Sequence, residues 1–161
     1  MDRLQKRKRL RLIGYDYSKN GAYFITICTK DKKCLLSKIV GADSIRPCSV
    51  QLTKYGRIVE IGIENISKVY PDCVINNYII MPNHIHLIIT INNKSGRIVS
   101  APTVIGQFKR YVSKECGFAI WQKSFYDHII RDENDYLAKA KYINENPAKW
   151  VEDKYYNKKD C

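Results

Sequence analysis

The chain has 161 residues, 45% of them hydrophobic, and its 28 Lys and Arg against 16 Asp and Glu give a formal net charge of +12. That length can bury a real core and that apolar content excludes an intrinsically disordered chain. No apolar run approaches the roughly 18 residues of a membrane span, and no apolar stretch with a cleavage site follows the basic residues 6–9, so no signal peptide is expected.

A positive excess of this size favours an anionic partner, most often nucleic acid, although a basic protein without that role carries the same charge. The first twenty residues form a basic, aromatic arm with Arg7, Lys8, Arg9 and Arg11 followed by Tyr15 and Tyr17. Such an arm could clamp a phosphate backbone and stack bases, or be a solvated tail. Residues 21–29 (GAYFITICT) are rich in β-branched and aromatic side chains and read as a strand. Residues 31–49 are mixed, with room for a short hairpin or loop. Over residues 52–70, Leu52, Tyr55, Val59, Ile63 and Ile66 recur at helical spacing, and Pro71 stops the run.

Residues 73–81 (CVINNYIIM) and 84–91 (HIHLIITI) read as strands joined by the Pro82-Asn83 turn, hence a hairpin. After a polar loop over 92–100, residues 102–116 read as a helix closed by Gly117. Residues 121–130 read as a fourth strand. Residues 132–145 form the last helix, with Asp132 as N-cap, Asp135 three residues on and Pro147 beyond its end. The order β-α-β-β-α-β-α predicts an α+β, ferredoxin-like split βαβ fold: a four-stranded antiparallel sheet with helices on one face, plus a C-terminal helix. A single domain over residues 1–161 is expected, with the basic arm at 1–20 and a charged, tyrosine-containing tail at 151–161. The six cysteines, Cys28, Cys34, Cys48, Cys73, Cys116 and Cys161, are irregularly spaced without a CxxC pair, and are read as reduced in a cytoplasmic protein.

His84 and His86 are the sharpest chemical feature. At i and i+2 of a strand they share one face of the sheet, roughly 7 Å apart at the backbone, while Ile85 and Leu87 point to the opposite, core face. Two imidazoles so placed can converge on one ion, and by softness they suit Mn, Zn, Ni or Co better than Mg or Ca. A catalytic centre also needs a third ligand and open positions. The competing reading is two ordinary histidines on a sheet face.

Projected at 100° per residue, Tyr136, Leu137, Ala140, Ile143 and Pro147 gather within about a third of the last helix's circumference as its core face. Tyr142 falls on the other side with Asp135, Lys139 and Asn146, which separates it from a packing tyrosine. Tyr142 and Asn146 are i and i+4 neighbours that could both face a metal on the sheet. The four residues suggest a reaction: a metal polarises a scissile phosphate and the Tyr142 oxygen attacks phosphorus, giving a phosphotyrosine and a free hydroxyl. Lys139, one turn before Tyr142, could depress the phenol pKa or hold a phosphate, though a solvated lysine is the more ordinary reading. Lys109, Arg110 and Lys123 are further candidates for a DNA groove. Trp121 reads as core, and His128 as structural.

The segments YDYSKNGAYFITICT (15–29), MPNHIHLIIT (81–90), IGQFKRYVSK (105–114), WQKSFYDHIIRDENDY (121–136) and KYINENPAKW (141–150) resemble, in order, those of the Y1 transposases of the HUH endonuclease class, both IS200/IS605-like and, more closely, REP-associated. The resemblance implies that His84, His86 and Asn146 hold a divalent metal, Mg2+ or Mn2+. It implies that Tyr142 cleaves single-stranded DNA beside hairpins through a 5′-phosphotyrosine. Homodimer and monomer are both known arrangements of such proteins. Where the insertion-sequence branch commonly has Gln as third ligand, this chain has the shorter Asn146. Two other functions stay open at this stage: a domesticated single-stranded nucleic-acid-binding module that does not cut, and an HxH metal-dependent hydrolase that needs no tyrosine.

Overall fold

A computed structural model describes residues 11–41, 48–159 and 161. Residues 1–10, with the candidate DNA contacts Arg7, Lys8 and Arg9, lie outside the described residues. In chain order the elements are β1 (Gly21–Cys28), β2 (Ser37–Val40), β3 (Ser49–Leu52), α1 (Lys54–Val69), β4 (Cys73–Ile80), β5 (His84–Ile91), α2 (Ala101–Cys116), β6 (Tyr126–Ile130) and α3 (Glu133–Glu145). The main sheet has the strand order β4-β5-β1-β6, antiparallel at every pairing, and β2 and β3 form a separate two-stranded sheet. This is the expected α+β fold, a split βαβ sheet with the hairpin β4–β5 beside the central strand β1.

Period-two alternation divides the sheet into two chemically different faces. Ile25, Ile27, Ile85, Leu87 and Ile89 are fully buried in one cluster with Val59, Ile63 and Ile66 of α1 and Val104, Ile105, Phe108 and Val112 of α2. The residues between them, Phe24, Thr26, His84, His86 and Ile88, point the other way, and α3 crosses over them, with Ile143 packed on Phe24 and Ile88. The layer order is therefore α1/α2, sheet, α3. The polar site sits in the second interface.

Local signals explain the boundaries. Thr53 caps α1 by accepting from the Gly56 amide, so the helix starts two residues later than its apolar spacing predicts, and Leu52 pairs with Ser37 instead. Gly56 lies against the Leu36 backbone, where a Cβ would collide with the Leu36 carbonyl. Ser100 caps α2, which ends at Gly117 in the left-handed conformation (φ 81°). Asp132 caps α3 by accepting from Asp135 N at 2.8 Å.

Three expectations change. The fourth strand is shorter than residues 121–130, because the carbonyls of Gln122, Lys123 and Ser124 turn towards the Lys109 ammonium. Trp121 keeps only an isolated bridge to Thr29. The α3 core face is also rotated: Leu137 is 56% exposed, whereas Asn146, expected on the outer side, is buried. The surface under α3 is polar at His84 and His86, so the apolar stripe alone does not mark it. Finally, Cys34 and Cys161 form a disulfide across 127 positions, with Cα atoms 5.4 Å apart, so the reading of six reduced cysteines fails for that pair. The tail folds back beside the segment between β1 and β2, a tertiary path that cysteine spacing does not report. Cys28, Cys48, Cys73 and Cys116 are free thiols. Among the described residues no helix is long and apolar enough to cross a membrane.

Candidate active site

The period of β5 puts both histidine rings under α3, and neighbouring groups fix how they point. Asn83 spends its amide nitrogen on the carbonyls of Lys32 (3.1 Å) and Tyr155 (2.7 Å), which turns its oxygen towards His84. His84 Nδ1 therefore donates to Asn83 Oδ1 at 2.9 Å, leaving Nε2 as the free lone pair. His86 Nδ1 meets Thr26 Oγ1 at 2.8 Å, and the two Nε2 atoms stand 3.0 Å apart. That spacing is what adjacent ligands of one ion have: two bonds of ~2.1 Å at a right angle span ~3.0 Å.

Burial pushes the pKa of His84 well down, helped by the neighbouring His86 and by Lys154 and Lys32. Burial likewise, with Lys154 and Lys139, pushes His86 down to about 3. Both rings are thus neutral at physiological pH, the form that binds metal.

A carboxylate joins them. Ligand atoms of His84, His86 and Asp153 all lie within 4.8 Å of one another, in the one such cluster found among the described residues. The expected third ligand, Asn146, is also present. It lies at the C-terminal end of α3, and its Nδ2 donates to Asp153 Oδ2 at 3.1 Å. Its Oδ1 is buried without a hydrogen-bond partner, a costly state that a cation would relieve. Two imidazoles, an amide oxygen and a carboxylate make a donor set that fits a divalent ion such as Mn2+ or Mg2+.

Tyr142 is brought to the rim of this cluster. Its ring packs edge-on to His86 at 5.2 Å and to Phe24 at 6.0 Å, and the residue is 40% exposed. Burial and the Asp153 charge raise the phenol pKa, partly offset by the Asn146 amide. The Lys139 ammonium lies 5.2 Å over the Phe24 ring. Two cavities of about 300 and 310 Å3 are both lined by Tyr142 and Lys154. The second is rimmed by Lys139, Lys154, Tyr126 and His86. Its two ammonium groups and aromatic walls suit a phosphate with an attached base.

The remaining candidates separate. Arg11 is exposed, its guanidinium 5.5 Å from the Phe125 ring. Arg110 and Lys123 are exposed. Lys109 is not a free cation, since its Nζ is spent on the carbonyls of Gln122 (2.7 Å), Lys123 (3.2 Å) and Ser124 (3.4 Å), while burial lowers its pKa. Trp121 is core, and His128 pairs with Asp135 at 2.8 Å, away from the cluster. Sequence reasoning missed Asp153, Lys154 and Tyr155, whose ring lies 4.6 Å from that of His84. Their only early signal was an aromatic, charged tail following Trp150.

No protein-family model matches the chain. It is 33% identical over 176 residues to a Haemophilus influenzae protein of uncharacterised function, covering 95% of this chain and 94% of that one. It is 28% identical over 138 residues to the REP-associated tyrosine transposase of Escherichia coli K12, covering 84% and 72%. A solved REP-associated tyrosine transposase bound to a REP hairpin is similar in fold, with a TM-score of 0.65 and 25% identity over 87% of this chain and 74% of that one.

Proposed function

Since this chain belongs to the Y1 transposase family, we propose that it is a metal-dependent nuclease and strand transferase that cuts single-stranded DNA beside a hairpin through Tyr142. The observation that carries this reading is the placement of Tyr142 on the rim of the His84–His86 pair, lining two cavities, one of them together with Lys139 and Lys154. The hairpin substrate is taken from the relative bound to a REP hairpin.

His84, His86 and Asn146 are the residues proposed to hold the ion, Mn2+ or Mg2+, which when bound would supply Lewis-acid polarisation of the scissile phosphate. The chain's own groups do the rest. Lys139 and Lys154 hold non-bridging phosphate oxygens, and Tyr126 offers a face to the adjoining base. The Tyr142 oxygen bonds to phosphorus as the bond from phosphorus to the 3′ oxygen breaks. The phenol proton ends, overall, on the released 3′-OH, and the 5′ phosphate remains on Tyr142. The ester bond is exchanged rather than hydrolysed, so a second 3′-OH can reverse the step without ATP. The exposed Arg11, Arg110 and Lys123, with Arg7, Lys8 and Arg9 of the arm, are proposed backbone contacts. The expected compartment is the cytoplasm, as monomer or homodimer.

The test is incubation of labelled single-stranded hairpin DNAs with the protein and Mn2+ or Mg2+, read on a denaturing gel. A protein–DNA adduct that needs the ion and is lost in Tyr142→Phe and His84→Ala is expected. Cleavage without adduct would point to the hydrolase instead. Raised phenol pKa and complete burial of the histidine pair favour a second reading, hairpin binding without cutting, and that reading predicts a shifted native band with neither product.

A further inference from the structure

We propose that Asp153, in the segment after α3, is itself a ligand of the ion, so that metal binding and docking of the C-terminal tail are one event. This rests on the metal reading above.

The centre needs a negative charge that the expected residues do not provide. His84, His86 and Asn146 are all neutral donors, Lys139 and Lys154 line one cavity with His86, and the Lys32 and Lys154 ammonium groups lie 5.7 and 4.9 Å from the Tyr155 ring that covers His84. A divalent cation entering that field of ammonium groups meets repulsion unless a carboxylate faces it. Among the described residues, Asp153 is the carboxylate in reach of both histidines. It is also held for the purpose: Asn146 Nδ2 donates to Oδ2 at 3.1 Å and the Tyr155 amide donates to Oδ1 at 2.7 Å. The Asn146 amide then has one polar atom left, the buried and unpartnered Oδ1. With Nδ2 on the carboxylate and Oδ1 on the ion, Asn146 and Asp153 grip one cation together.

The tail is thereby drawn into the centre. Tyr155 lies over His84, its carbonyl accepts from Asn83, and residue 161 is tied to Cys34. If Asp153 binds the ion, occupancy must stabilise the docked tail, and a docked tail must tighten the ion, by the same factor.

The experiment uses the full chain and MnCl2 alone. Mn2+ affinity is measured by calorimetry and by electron paramagnetic resonance for wild type, Asp153→Asn, the exposed neighbour Glu152→Gln and His84→Ala. Asp153→Asn preserves shape and the acceptor for the Tyr155 amide and gives up the acceptor for Asn146 Nδ2, so its Tm is read alongside. Amide exchange of residues 153–159 is followed with and without Mn2+. The proposal expects ~10-fold or greater weakening in Asp153→Asn, near wild-type affinity in Glu152→Gln, and tail protection by Mn2+ in wild type that is lost in Asp153→Asn. Wild-type affinity in Asp153→Asn overturns the proposal while leaving the histidine centre intact. Equal Mn2+ binding by wild type and His84→Ala overturns the metal reading itself, and this proposal with it.

Discussion

Replacing Lys109 by Met tests whether this lysine builds the fold or contacts DNA. Its sequence setting, a Lys-Arg-Tyr patch in a basic chain, predicts a phosphate contact. The structure instead spends its ammonium on three loop carbonyls, the nearest at 2.7 Å, beside the Phe125 ring. A hydrogen bond from a charged group contributes about 1.5–3 kcal/mol. The bonds at 3.2 and 3.4 Å are long and the loop is half open to water, so about 2 kcal/mol is the expected loss. For a chain of this size each kcal/mol lowers Tm by about 2–4 °C, giving a fall of about 4–8 °C by calorimetry or urea melts. Binding of the folded variant to a hairpin, titrated with salt, should keep the wild-type slope, because no phosphate contact has been removed. A variant that melts like wild type but loses about 0.7–0.9 of slope, the contribution of one phosphate contact, would refute this assignment.

Gly56→Ala should cost roughly 3 kcal/mol in urea unfolding, since its Cβ would meet the Leu36 backbone carbonyl, which cannot step aside as a side chain could. Arg110→Ala and Lys123→Ala, both exposed, should show the reverse of Lys109: an unchanged Tm and a salt slope smaller by about 0.7 each, as for single strands. Asp135 has its pKa lowered below 3.8, chiefly by the hydrogen bond from His128. A folded-state pKa below the unfolded one gives stability that is present above the ordinary carboxylate range and is lost as pH falls through the depressed value. Asp135→Asn should therefore flatten the acid limb of the stability–pH curve below about pH 4. A parallel shift of the whole curve would contradict this.

The sheet and its two crossing helices were legible because each depends on periodicity along the chain. The alternation in 84–91 places Ile85 and Leu87 in one core and His84 and His86 in the other layer, as the structure has it. The phase of α3 was misread for a physical reason. Its partner surface is polar, so the apolar stripe through Leu137 does not define the buried face, and Asn146 is buried because a carboxylate awaits it. Asp153 and Tyr155 carry no local pattern: their part in the site follows from a tail that returns across the sheet, fixed by Asn83 and the Cys34–Cys161 link. The carbonyl contacts of Lys109 were not legible, because they come from residues 13 to 15 positions further on.

Everything functional turns on Tyr142 being the nucleophile rather than Tyr126 or Tyr155, which also border the cluster. The direct measurement is mass spectrometry of the proteolysed adduct formed with a hairpin DNA and Mn2+. The account predicts a single modified peptide with a nucleotide 5′-phosphate on Tyr142, and no modified peptide in Tyr142→Phe. A nucleotide on any other tyrosine, or DNA cleaved with every tyrosine unmodified, would contradict it.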